Sequence, residues 1–144
     1  HHLSDPEVSP IYYPWNGAYY RLQTRFVNGF CVALIPGKGC TLGDSRPLIC
    51  KVWPFWWKSG SDLSAENLEL EIDGDCTMAT KWNMSAEEIM RNLGLSEDDV
   101  RKELVALHKA LKEHQEMLAE ALEERVAPNK LLDWILNRIS LEKP

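Results

Sequence analysis

Glycine and proline are so unevenly spread along these 144 residues that the two ends must fold in different ways: seven of eight glycines and six of eight prolines precede residue 83. Both interrupt regular structure, glycine through its conformational freedom and proline through its fixed φ and missing N–H. Residues 1–82 should therefore be irregular, with short strands or hairpins, and residues 83–144 helical. Together they read as one α+β domain, the helical part packed on the irregular part. All four cysteines and five of the six tryptophans also lie before residue 83.

Local signals place the elements. Arg21–Ile35 reads as two short extended runs around Asn28-Gly29, a pair suited to a tight hairpin turn, with Cys31 on the second run. Pro36-Gly37-Lys38-Gly39 forces another turn and delivers Cys40. Asp44 or Ser45 is a candidate cap for a short helix over Pro47–Val52 that carries Cys50 and stops at Pro54. Leu68, Leu70 and Ile72 alternate with Glu69 and Glu71 as a half-buried strand, and Cys76 follows the turn Asp73-Gly74-Asp75. Ser85 and Glu88 form a capping box for a helix that Gly94 should end. Acidic residues open the next helix, predicted over Glu97–Arg125 with an apolar stripe at Val100, Leu104, Leu107, Leu111, Leu118 and Leu122. Pro128 separates it from a last amphipathic helix holding Leu131, Leu132, Ile135, Leu136 and Ile139.

Charge narrows the functional classes. A formal charge of −6 argues against binding a nucleic-acid backbone, which needs a basic face. No apolar run approaches the ~20 residues of a membrane span, and His1–Pro10 lacks the apolar core of an export leader. The expectation is a cytoplasmic chain with neither membrane nor nucleic-acid partner.

The cysteines, Cys31, Cys40, Cys50 and Cys76, follow the spacing C-x8-C-x9-C-x25-C. Four thiolates complete a tetrahedral zinc site or a four-iron cluster. Zinc sites commonly use a close cysteine pair, which this spacing lacks. Three readings stay open on the residues: a metal centre, reduced cysteines serving as small apolar core residues, or two disulfides in an exported domain. Glycine-containing turns beside the thiols leave backbone donors for sulfur, and Trp53, Phe55, Trp56 and Trp57 could wall off water.

The run GFCVAL, GCTLGDSRPLIC, KVWPF and DGDC resembles the YkgJ-like proteins, a family named for zinc or iron chelation. The resemblance covers about residues 29–76 and centres on Arg46-Pro47-Leu48-Ile49-Cys50 and Trp53-Pro54. It implies Cys31, Cys40, Cys50 and Cys76 as ligands of a metal or cluster, without implying a reaction. The family's upstream cysteine cluster has no counterpart before Cys31. An iron–sulfur cluster of the 4Fe-4S type is preferred to zinc, because close pairs are absent and a proline follows the third cysteine. Four thiolates leave no open coordination position, so the role would be structural or electron transfer.

Other side chains read more plainly. Arg46 suits an ion pair with a carboxylate such as Asp44, or with a cluster's negative charge. His108 and His114, six apart on one helix, are packed or solvated rather than ligands. The tryptophans read as core. Asp73 and Asp75 supply too few oxygens for a calcium loop, and no nucleophile–base set, phosphate loop or dinucleotide fingerprint is present, so no catalytic residue is assigned. The alternative to a metal protein is a metal-free module whose 97–125 helix docks a protein partner or a second copy of the chain.

Overall fold

The computed structural model describes residues 9–58, 60 and 62–142. Residues 1–8, most of the segment read above for an export leader, lie outside them. The fold is α+β, with paired short strands first and helices after. In order come β1 (Tyr13–Trp15), β2 (Ala18–Tyr20), β3 (Phe26–Val27), β4 (Phe30–Cys31), β5 (Leu34–Ile35), β6 (Gly39–Cys40), α1 (Leu48–Val52), β7 (Phe55–Trp57) and β8 (Leu70–Ile72). The helices α2 (Thr77–Thr80), α3 (Ala86–Asn92), α4 (Glu97–Glu123) and α5 (Leu131–Glu142) follow. The strands form separate two-stranded pairs, β1 with β2, β3 with β4, β5 with β6 and β7 with β8.

Two hairpins share one turn chemistry. Asn28-Gly29 takes left-handed φ at both positions, 52° and 83°, and joins Val27 to its partner Phe30. Asn16-Gly17 does the same at 47° and 79°, joining Trp15 to Ala18. Positive φ at both central residues matches the right-handed twist of the flanking strands, and asparagine followed by glycine tolerates it.

The short helix starts later than its capping signal suggests. Gly43–Ser45 forms a 3-10 turn, Pro47 stands as the residue before α1 with ψ 147°, and no side chain caps the helix. Arg46, held extended at φ −58° and ψ 144° by the proline that follows it, keeps the two turns apart. Downstream, the serine half of the predicted capping box and the Gly94 stop form. Ser85 Oγ accepts from the Glu88 N–H at 3.2 Å. Past α3, Leu95 N–H donates to the Met90 carbonyl and Gly94 N–H to the Arg91 carbonyl, the Schellman pattern. The end of α4 repeats it, with Val126 N–H on Ala121 and Arg125 N–H on Leu122, but Arg125 occupies the left-handed position. That closes α4 at Glu123, two residues short of the predicted end.

The chain divides into two compact units, residues 35–109, and residues 1–34 together with 110–144. This division differs from the compositional boundary near residue 82. In the 35–109 unit, α3 packs against β8. Val52, Phe55, Trp56, Leu68, Cys76, Ile89, Met90, Val100, Leu104 and Leu107 are buried apolar residues among those described in it. In the other unit Tyr13, Leu118, Ala121, Leu131 and Ile135 form one core cluster, with Trp15, Met117, Val126 and Trp134 packed against it. The stripe of α4 thus has most of its apolar residues buried within the chain, Val100, Leu104 and Leu107 in one unit and Leu118 in the other. α5 buries Leu131 and Ile135 and leaves Leu132, Leu136 and Ile139 exposed.

Leu104 is fully buried, so Leu104→Ala should lower unfolding stability by about 2–5 kcal/mol, while exposed Leu132→Ala should stay within about 0.5 kcal/mol. Denaturant titration of both variants checks this, and equal losses would contradict it.

Candidate metal centre

Each predicted ligand sits on a different element. Cys31 ends β4, paired with Phe26 across the hairpin. Its Sγ and Thr24 Oγ1 lie at hydrogen-bond distance, 3.3 Å; once ionised the sulfur accepts from the Thr24 hydroxyl, which holds the Cys31 pKa below its usual value, with the Ala33 backbone second and burial opposing both. Thr24 was not read as functional from the sequence. The register around Asn28-Gly29 is the signal that finds it, since Phe26 faces Cys31 and Arg25 accepts from Val32 N–H at 2.7 Å, which brings Thr24 alongside.

Cys40 ends β6 and is exposed. Cys50 is the third residue of α1, its N–H donating to the Pro47 carbonyl at 2.9 Å, and it too is exposed. Cys76 is different. It is 1% exposed and stands at the N-terminal end of α2, where its N–H donates to the Asp73 carbonyl and its own carbonyl accepts from Thr80 Oγ1, both at 3.0 Å. All four are thiols. Cys31 belongs to one compact unit, and Cys40, Cys50 and Cys76 to the other.

The aromatic run after Cys50 is a strand. β7 pairs antiparallel with β8, Phe55 opposite Ile72, Trp56 opposite Glu71 and Trp57 opposite Leu70. Phe55 and Trp56 are buried, and Trp56 stacks on Trp57 with ring centres 4.3 Å apart. The tryptophans are less uniformly core than their type suggests, since Trp53 is 52% and Trp82 67% exposed. His108 meets Trp57 edge to face at 5.4 Å, and burial pushes the His114 pKa down. Both are therefore accounted for by packing. Arg46 Nε donates to the Gly43 carbonyl at 3.0 Å, closing the 3-10 turn before α1.

By donor chemistry four thiols suit zinc or an iron–sulfur cluster. By placement they do not, for among the described residues no three His, Cys, Asp or Glu side chains form a group that could hold a metal ion. Among the described residues, too, no helix is long and apolar enough to cross a membrane. Comparison with protein-family models, characterised proteins and solved structures gave no match.

The thiolate is the reactive form, so a lowered pKa moves the alkylation midpoint of Cys31 to lower pH than an ordinary thiol. Thr24→Val should move that midpoint up, read by mass spectrometry after iodoacetamide pulses at a series of pH values. In the native chain Cys76 should label last; labelling of Cys76 as fast as Cys40 would contradict its burial.

Proposed function

We propose that this chain is a thiolate metal protein of the reducing cytoplasm, in which Cys31, Cys40, Cys50 and Cys76 bind an iron–sulfur cluster in preference to zinc, with a structural or electron-transfer role. The observation that carries the reading is the poverty of the cysteine segment's interior. Between Asn16 and Lys51 only Ala33 is buried. Phe26, Val27, Phe30, Val32, Leu34 and Ile35 are each 40% or more exposed.

Ordering a residue costs roughly 1–2 kcal/mol of backbone entropy, which burial normally offsets. A segment with so little burial has a deficit. Structural zinc contributes about 10–16 kcal/mol at neutral pH, enough to draw such a segment together. Three of the four thiols lie in it, and the fourth lies in the packed part of the chain. The resemblance of residues 29–76 to metal-chelating proteins points the same way. Because the described donors are not grouped, binding requires the segment to rearrange.

A metal-free docking module is the second reading, and α5 favours it more than α4 does. Leu132, Leu136 and Ile139, spaced by four and three residues, form an exposed apolar stripe on α5.

The test is metal analysis of anaerobically purified protein beside Cys50→Ser. The wild-type chain should carry iron with thiolate-to-iron absorption, or zinc near one per chain, and the variant should carry little of either. Equal metal in both chains, or none in the wild type, would overturn the reading.

A further inference from the structure

A cleft of about 560 Å³ with no cysteine in its lining opens between the β1–β2 hairpin and the start of α5. Trp15, Tyr20 and Leu22 line one side of it, and Pro128 and Leu131 the other. Arg21 is the charged residue of the lining, and among the described residues no carboxylate borders the cleft. Its size falls in the range of small-ligand sites, about 300–1,000 Å³.

The two walls are tied together. Tyr13, fully buried beneath the hairpin, donates its hydroxyl to the Val126 carbonyl at 2.8 Å, just before the Ala127–Asn129 wall. Its ring stacks on Trp15 at 6.2 Å with planes 17° apart, and it shares a core with Leu131. A ligand would therefore meet a formed site and not have to organise one.

Arg21 is likewise held in place. Its Nε donates to Gln23 Oε1 at 3.0 Å, its Nη1 donates to the Tyr12 hydroxyl oxygen at 3.5 Å, and the guanidinium lies 5.7 Å from the centre of the Tyr12 ring. A guanidinium carries five N–H donors, so these two bonds leave donors for a ligand. Residues 9–34 contain Arg21 and Arg25 and no acidic residue, so the hairpin wall of the cleft carries no carboxylate to oppose an anion at Arg21.

We propose that this cleft binds a small aromatic carboxylate: flat apolar walls take the ring, and the Arg21 fork takes the carboxylate. The site is independent of the metal centre, since no cysteine lines it.

The test is a titration of the full chain with indole-3-acetate, followed by amide and indole NMR shifts, with indole-3-ethanol as the neutral isostere. Saturable shifts at the Trp15 indole and around Arg21 are expected. The isostere should bind about tenfold or more weaker, in line with loss of a charge-assisted pair. Arg21→Gln should weaken indole-3-acetate by a similar factor. Arg21→Lys, which keeps the charge and loses the fork, should fall between and carries the test if Arg21→Gln perturbs the fold. No saturable shift at millimolar ligand, shifts centred elsewhere, equal binding of the two ligands, or full affinity in both Arg21 variants would overturn the proposal.

Discussion

Apolar burial in this chain is concentrated on its helices and on one aromatic strand pair, and that concentration conditions everything else. α4 supplies Val100, Leu104 and Leu107 to one core and Leu118 and Ala121 to the other, and α5 adds Leu131 and Ile135. β7 contributes Phe55 and Trp56, with β8 half-buried beside it. The hairpins and turns between Asn16 and Lys51 are built from local hydrogen bonds and turn chemistry with almost nothing behind them. Local bonds define their shape, and at roughly 1 kcal/mol net apiece they do not supply the stability a core gives. Three cysteines sit in that segment while Cys76 is packed, so the proposed ligands divide into three on thinly buried backbone and one in a core.

Much of this was legible where the signal is local. Asn28-Gly29, the Ser85 cap and the Gly94 stop each depend on a few adjacent residues, and each appears where the sequence puts it. Asn16-Gly17 carries the same hairpin signal and went unread because the flanking Tyr13–Tyr20 run contains Pro14 and lacks alternation. The α4 stop was misplaced by two residues because a left-handed arginine has no compositional mark. β7 was read as a wall of aromatics and not as a strand, since consecutive Phe55, Trp56 and Trp57 show no period of two and their partner strand lies well along the chain.

The candidate sites follow the same rule. The number and type of the thiols are sequence facts, whereas their grouping depends on long-range placement that spacings of eight, nine and 25 residues do not fix. The aromatic cleft was invisible for the same reason, because it joins residues 15–22 to residues 127–131. What connects them is the core that Tyr13 shares with Leu131, together with the bond from its phenol to Val126.

The central claim is that metal supplies the interior the cysteine segment lacks. Hydrogen–deuterium exchange over residues 16–51, compared between chelator-treated protein and protein reloaded with zinc or with iron and sulfide under anaerobic conditions, tests it most directly. Strong slowing of exchange confined to that segment and the turn around Cys76 is the predicted result. Identical exchange in both preparations, with metal shown to be bound in one of them, would contradict it.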